Sequence, residues 1–172
     1  MIYYYSATKK TQVYAEVLAQ ILDSPIYVLE TNWDNGQSSK FKQFGFFVGC
    51  AFYALVGKTI PVKNMPKIYE PHESKEITKE TQKNQESEIY VCAPIWANAP
   101  APPIEYFLKN AIFKNVKVHL LLTASAPNEK MRTKGQKLLS TIDCIPGNVF
   151  VFAGSGAHDI ELLKEQLKEM VQ

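Results

Sequence analysis

Six residues near the amino terminus have the composition of an anion-binding loop. The segment Ser6-Ala7-Thr8-Lys9-Lys10-Thr11 follows an apolar run and precedes a helical pattern. Backbone N–H groups at a helix amino terminus lack intrahelical acceptors and carry partial positive charge, so a phosphate placed there gains several donors. Further donors and charge are available from the side chains of Ser6, Thr8, Thr11, Lys9 and Lys10. An ordinary helix cap with two solvated lysines explains the same residues equally well.

A proline-rich segment farther along the chain offers a surface for a planar ring. It reads Pro94-Ile95-Trp96-Ala97-Asn98-Ala99-Pro100-Ala101-Pro102-Pro103. Proline fixes φ, which lowers the entropic cost of holding one shape, and the indole of Trp96 is a large ring with a single donor. A planar ring system could stack here. In the alternative interpretation, Trp96 closes the top of the core and the prolines begin a helix.

A third segment, Thr123-Ala124-Ser125-Ala126-Pro127-Asn128, combines small side chains with hydroxyl groups. Small residues let a ligand approach the backbone. All three segments follow strand-like runs, and in an open parallel sheet ligands bind outside the carboxyl ends of the strands, where the winding reverses. We therefore expect the three segments to meet at one edge of a sheet.

The elements that would position these segments alternate along the chain. Five runs rich in β-branched, aromatic or aliphatic residues predict strands: Ile2 to Tyr5, Ile26 to Glu30, Ile89 to Ala93, Val116 to Thr123 and Val149 to Ala153. Helical periodicity follows the first run, with Thr11 predicted as the cap, and recurs over 131–142 and 160–171. The nearly continuous apolar character of the strands is typical of a parallel sheet covered by helices on both faces. The sequence predicts an α/β fold.

The stretch between the second and third runs departs from this alternation. We predict a single domain over 1–172 with an irregular insert at about 38–87. Its first part, within 41–57, is aromatic and rich in small residues, whereas 74–87 is polar and predicts a solvated loop or frayed helix. The apolar part either forms a partner surface, for which a homodimer is one arrangement, or replaces a crossover helix in the core.

Composition and charge exclude several classes of protein. The 172 residues suit one domain, and 19 Lys and Arg against 17 Asp and Glu give a charge of only +2, so nucleic acid is not an expected partner. No apolar stretch reaches the about 20 residues of a membrane span. Cys50, Cys92 and Cys144 lie far apart among apolar neighbours and predict free thiols, without metal-binding spacing. With no leader pattern, the expected location is the cytoplasm.

These segments together resemble a flavodoxin over nearly the whole chain. Ser6-x-Thr8-x-x-Thr11 is similar to the phosphate-binding loop of that family, and Thr123-Ala124-Ser125 to its second flavin-contacting loop. The segment from Pro94 to Pro103, followed by Phe107 and Leu108, resembles the loop and helix after the third strand. The run from Gly45 to Lys58 resembles an insert of one branch.

The resemblance implies a flavodoxin-like three-layer sandwich whose five parallel strands take the order 2-1-3-4-5. It further implies FMN bound without a covalent link, with the phosphate on residues 6 to 11 and the ring system between the other two loops. Residues that would contact FMN are Ser6, Thr8, Lys9, Lys10, Thr11, Pro94, Ile95, Trp96, Ala97, Asn98, Thr123, Ala124 and Ser125. The Ala97-Asn98 peptide would accept a hydrogen bond from the reduced flavin, because Asn tolerates the left-handed conformation of such a turn.

One residue departs from the family pattern, since Lys9 stands where a glycine is usual. If that position needs a positive φ, lysine costs about 1 kcal/mol more than glycine. An ammonium group beside a phosphate dianion compensates in part.

Three functions remain open at this point. The first is an electron carrier that serves redox partner proteins and has no catalytic residue of its own. The second is an NAD(P)H-dependent flavin or quinone reductase with a wider cavity. The third is a domain that kept the fold and lost FMN.

Overall fold

A parallel sheet with helices forms the described part of the chain. The computed structural model describes residues 1–32, 53, 56, 58–65, 87–154 and 159–171. Its strands are β1 (Ile2–Tyr4), β2 (Ile26–Val28), β3 (Ser87–Trp96), β4 (Ala99–Pro100), β5 (Val116–Ala124) and β6 (Ile145–Ala153). Its helices are α1 (Lys10–Leu22), α2 (Pro102–Asn110), α3 (Glu129–Leu139) and α4 (Ile160–Val171).

Five of the strands are parallel and lie in the order β2-β1-β3-β5-β6. The two-residue strand β4 pairs only with the end of β3 and was not among the five predicted strands. Without it, the observed order is the predicted 2-1-3-4-5, which is therefore confirmed. The chain moves outward from β1 to β2 and then returns to place β3 on the other side of β1. The winding therefore reverses between β1 and β3, which is where open α/β sheets bind ligands.

Helices cover both faces of this sheet. On one face, Ile104 and Phe107 of α2 and Leu138 of α3 pack on alternate strand residues such as Val91. On the other face, α1 and α4 pack on the intervening strand residues, such as Cys92 and Leu121. They do so through Leu18, Leu163 and Leu167. Both sides of each central strand are buried, which explains why the strands are apolar at nearly every position.

A close approach between α3 and the sheet depends on Gly135. A Cβ atom at this position would lie 2.7 Å from Val149 Cγ1 and 3.2 Å from Leu122 Cδ1. Any larger residue would push the helix away from β5 and β6. Gly135 therefore helps to fix the height of α3 above the strands.

Several predicted boundaries are wrong: β6 begins at Ile145 and not at Val149, and β2 ends at Val28 and not at Glu30. Thr11 does not cap α1, because the cap is Lys9 and Thr11 lies inside the helix. The third helix ends at Leu139 and does not continue to residue 142. β3 does not end at Ala93 but continues to Trp96, because the chain then folds back directly into β4.

The long connection between β2 and β3 is described only in part. Most of the predicted insert, including the polar 74–86, lies outside the described residues, and so does nearly all of its apolar part. Segment 58–65 runs antiparallel to the end of β2, with a bridge between Thr31 and Val62. There the Asn64 side chain accepts from the Glu30 N–H at 2.8 Å and donates to the Val28 carbonyl at 2.6 Å. No helix among the described residues has both the length and the apolar character needed to cross a bilayer.

Candidate functional site

The amino terminus of α1 presents free backbone donors. Its first hydrogen bond runs from Val13 N–H to the Lys9 carbonyl at 3.2 Å, so the amides of residues 10–12 have no backbone acceptor within the described residues. No side chain caps this end and its first turn holds no acidic residue. By contrast, Asn128 caps α3 and Asp159 caps α4 with side-chain oxygens. The end of α1 is therefore electropositive and open to an anion.

Ser6, in the segment that leads into α1, has an unsatisfied hydroxyl. Its Oγ is buried and has no hydrogen-bond partner among the described residues. Buried polar atoms in folded proteins nearly always have a partner, which for this hydroxyl can be a bound group or a water molecule. A phosphate would accept from this hydroxyl and from the amides of α1 together. The residues present here fit the phosphate of FMN.

Lys9 adopts the left-handed conformation, with a φ of 62° and a ψ of -9°. The position where the resemblance expects glycine thus does require a positive φ. The chain meets this requirement with a residue that pays a steric cost of about 1 kcal/mol. Lys9, Lys10 and Thr8 are all exposed.

A buried hydroxyl pair joins the first segment to the third. The Oγ1 atoms of Thr11 and Thr123 lie 2.7 Å apart, so one donates to the other, and the residues are 1% and 5% exposed. The Thr11 hydroxyl is thus bonded to β5, and its contact to a phosphate stays a prediction. The pair holds α1 against the end of β5, where Ala124 is buried and Ser125 is exposed.

The second segment forms a tight hairpin. Trp96 pairs with Ala99 and Ile95 with Pro100 in antiparallel register. The two residues between them, Ala97 and Asn98, have φ of 49° and 63°, which suits the two-residue turns that match strand twist. The left-handed conformation predicted for Asn98 is therefore confirmed. Both turn residues are exposed and so available to a ligand or a partner.

Trp96 stands partly exposed above the core. Its ring meets that of Tyr5 edge to face at a centroid distance of 5.7 Å. Tyr5, which is 1% exposed, directly precedes Ser6 and so connects the hairpin to the phosphate segment. Pro94 and Ile95 are half-buried next to it. Trp96 thus packs on the core, as the core-closing interpretation predicts. It is also partly exposed, which leaves ring surface for a planar ligand.

Three further residues shape this edge and were missed in the sequence. Tyr5 supports Trp96, and its position as the last residue of the first apolar run was the available signal. Tyr14 donates its hydroxyl to the Ala153 carbonyl at 2.6 Å and fixes the end of β6. Gly154 lies beside the Lys10 side chain, because a Cβ at this position would be 3.6 Å from Lys10 Cδ, an ordinary van der Waals contact. Neither contact had a signal in local sequence.

The buried thiol of Cys92 takes no part in this site. It lies in the middle of β3 and is fully buried, and burial raises the pKa of its thiol far above the usual range. A thiol that stays protonated is neither a nucleophile nor a metal ligand. Cys92 is a free core thiol, as the sequence predicted.

A buried imidazole lies toward the other end of β5. His119 is 5% exposed and stacks on Tyr90 with ring centroids 4.7 Å apart. Its Nδ1 accepts from the Asn148 N–H at 3.1 Å, while Nε2 lies 3.7 Å from a Glu88 oxygen. Burial lowers the pKa of His119; Glu88 opposes this effect and Lys117 adds to it. The neutral imidazole is therefore the form that the fold favours.

Comparisons with known proteins agree with this architecture. No family model and no curated protein matches the sequence. A candidate flavoprotein from Bacteroides uniformis superposes with a TM-score of 0.64 at 17% identity, over 98% of this chain and 96% of that one. One from Bacteroides eggerthii gives 0.58 at 15%, over 99% and 96%. A flavoprotein from Lactobacillus acidophilus in complex with FMN gives 0.50 at 19%, over 93% and 96%. At these identities the likeness concerns architecture alone, and the described part of the chain has a flavodoxin-like fold.

Proposed function

We propose that this chain binds FMN without a covalent bond and carries single electrons between redox partner proteins. The observation that carries the proposal is the orphaned Ser6 hydroxyl beside the free amides of α1. Both lie at the reversal of winding between β1 and β3, next to the partly exposed Trp96. One phosphorylated planar ligand accounts for the donors and the ring together.

The chain's own residues have separable tasks in this proposal. The Ser6 hydroxyl and the amides of residues 10–12 bind the phosphate. Trp96 and the exposed turn at Ala97 and Asn98 bind one side of the ring system, and the segment around Ser125 binds the other. The pair of Thr11 and Thr123 keeps the two binding segments at a fixed separation. When bound, FMN supplies reversible one-electron and two-electron transfer.

The make-up of the three segments supports a carrier more than an enzyme. Residues 6–11, 94–103 and 123–128 contain no Asp, Glu, His or Cys. Reductases that act on bound substrates commonly use such side chains to move protons. A carrier needs only that the ring system come close to a partner protein. The exposed hairpin turn leaves room for that approach.

Binding is tested by titrating FMN with the purified, flavin-free protein and following the quenching of flavin fluorescence. We expect Ser6→Ala to weaken FMN binding about tenfold or more, because a hydrogen bond to a charged group is worth about 1.5–3 kcal/mol. The same change should leave the flavin-free protein equally stable or more stable, since it removes a buried unsatisfied group. Ser140→Ala, at an exposed site on the end of α3, is the control.

Weaker FMN binding together with unchanged or higher stability would show that Ser6→Ala affects the binding site and not the folding of the protein. A Ser6→Ala variant that binds FMN as tightly as the parent protein contradicts the phosphate assignment. A protein that does not quench FMN at all contradicts the whole proposal and favours a domain that has lost its cofactor.

The carrier role is tested on the FMN-loaded protein by stepwise reduction. We expect two well-separated one-electron steps and no oxidation of NADH or NADPH without an added reductase. Steady NAD(P)H turnover with a quinone would instead assign the protein to the reductases.

A further inference from the structure

A bulge near the start of β6 is built around the ring of His119. The pairing of β5 with β6 shifts between Val118 and Leu120, which places two residues of β6, 147 and 148, opposite His119. Bulges between parallel strands are rare, and the extra residue interrupts the ladder of backbone hydrogen bonds. At this bulge the Asn148 N–H donates to the Nδ1 atom of His119 at 3.1 Å. The imidazole therefore serves as the acceptor that joins this part of β6 to β5.

Gly147 packs directly on the same ring. A Cβ atom at this position would lie 2.9 Å from His119 Cγ and Nδ1, and 2.7 Å from the Val118 carbonyl oxygen. A glycine inside a strand often marks such a close approach. The position of the imidazole and the path of β6 through the bulge are therefore coupled.

The hydrogen bond from Asn148 determines which nitrogen of the neutral ring carries the proton. Because Nδ1 accepts, the proton of the neutral imidazole is on Nε2. Nε2 is buried and has no hydrogen-bond partner among the described residues. A carboxylate oxygen of Glu88 lies 3.7 Å away, beyond hydrogen-bond distance. The neutral ring thus satisfies the amide of β6 while its own donor stays unpaired.

The charged groups around the ring oppose one another. Glu88 of β3 attracts a positive imidazole, whereas Lys117 of β5 repels it and bonds the other carboxylate oxygen of Glu88 at 3.0 Å. Tyr90, which stacks on the ring, stays a neutral phenol because burial raises its pKa. β6 contributes no ionisable side chain between 145 and 153.

Two more elements border this side of the sheet. The amino group of Met1 lies 3.5 Å from the Glu88 carbonyl oxygen. α4 packs on this face through Leu167, and its neighbouring charged residues Lys168 and Glu169 are exposed. Glu88 is therefore the carboxylate positioned to receive a charged ring within the described part of the chain.

We propose that the hydrogen bond between Asn148 and His119 is a pH-sensitive switch that opens the β6 bulge locally when the imidazole gains a proton. The added proton, taken from water, must go to Nδ1, because Nε2 already carries one. Nδ1 then no longer accepts, and two N–H groups face each other at the bulge. At the same time the positive charge draws the ring toward Glu88, where Nε2–H gains the acceptor that it lacks. One hydrogen bond is exchanged for another, and FMN is not involved.

The direction of the switch follows from the environment of the ring. Burial lowers the pKa of His119 below the ordinary value of about 6.5, and the attraction of Glu88 limits this shift. The bulge is therefore closed at neutral pH and opens in mildly acidic solution.

The test follows the flavin-free, ¹⁵N-labelled protein by NMR between pH 7.5 and pH 5. We expect the protection of the Asn148 amide against hydrogen exchange, corrected for the intrinsic effect of pH on exchange, to fall about threefold to tenfold as the His119 ring titrates. The amides of Val91 and Leu121 are the internal controls. They lie in strands that are paired on both sides and should keep their protection.

Two variants separate the switch from simple packing. Glu88→Gln removes the carboxylate charge and should move the ring titration and the loss of Asn148 protection together to lower pH. Glu161→Gln, which removes a similar lysine-paired carboxylate on α4, is the matched control and should move neither. His119→Gln offers an amide oxygen that accepts without titrating, so the protection of Asn148 should no longer depend on pH.

Three results would overturn the inference. The first is a ring that titrates while Asn148 stays as protected at pH 5 as at pH 7.5. The second is a ring that stays neutral down to pH 5. The third is a loss of protection at Val91 and Leu121 together with Asn148, because the opening is then global. FMN binding is measured separately, so the failure of either proposal leaves the other intact.

Discussion

The hydroxyl pair of Thr11 and Thr123 gives a quantitative test of how the two halves of the site are joined. The two oxygens are 2.7 Å apart, a near-ideal O–H···O distance, and the residues are 1% and 5% exposed. Neither hydroxyl has another partner within the described residues. Replacing one threonine by valine keeps the shape but leaves the other hydroxyl buried and unpaired. We expect each single variant to lose about 1–3 kcal/mol of unfolding free energy.

The double variant should behave differently from the sum of its parts. Exchanging both hydroxyls for methyl groups removes the polar atoms together, so Thr11→Val with Thr123→Val should cost less than either single change, within about 1 kcal/mol of the parent protein. The sum of the two single losses then exceeds the loss of the double variant by about 1–5 kcal/mol, which is the coupling energy. For a chain of this length, each 1 kcal/mol shifts Tm by about 2–4 °C.

Urea unfolding of the flavin-free protein, followed by circular dichroism, measures the cycle. Thr133→Val is the control, because its hydroxyl donates to the Glu129 carbonyl at an exposed position and its removal should change stability by less than about 0.5 kcal/mol. Strictly additive losses at residues 11 and 123 would refute the reasoning and mean that water satisfies both hydroxyls.

Three further predictions address single residues. At position 9, glycine should give a more stable flavin-free protein than alanine by about 0.5–1 kcal/mol in urea unfolding, since both lack the charge and only alanine is strained; equal stabilities would mean that α1 begins elsewhere. Gly135→Ala should lower stability by about 1 kcal/mol or more despite better helix propensity, because the new Cβ meets Val149, whereas Gln136→Ala should be nearly neutral in the same assay. The lowered pKa of His119 means that the unfolded chain takes up a proton more readily. The free energy of unfolding should therefore be greatest above the ordinary histidine pKa of about 6.5 and fall as the pH drops below it. His119→Gln should reduce this fall between pH 7.5 and 5.5. An unchanged dependence of the unfolding free energy on pH would contradict the burial argument.

The order of elements could be predicted from the sequence because it depends on local pattern. The runs beginning at Ile2 and Ile89 are apolar at nearly every position, and only burial on both faces of a sheet stabilises such strands. The helical period over 160–171 likewise reflects one buried stripe, formed by Leu163 and Leu167. The order of strands within the sheet came from the family resemblance, and the pairing of β1 with both β2 and β3 confirms it.

The form of the site was decided by contacts that no local pattern encodes. Thr11 looked like a helix cap, but its hydroxyl bonds a residue 112 positions away, and the cap became a strained lysine. The segment after Ala93 looked like a stiff loop, but pairing of Trp96 with Ala99 turned it into a hairpin. Whether the hydroxyl of Ser6 is buried without a partner depends on the packing around it. Periodicity reports which face of an element is buried, whereas the partners of a polar group depend on distant segments that meet only when the sheet assembles.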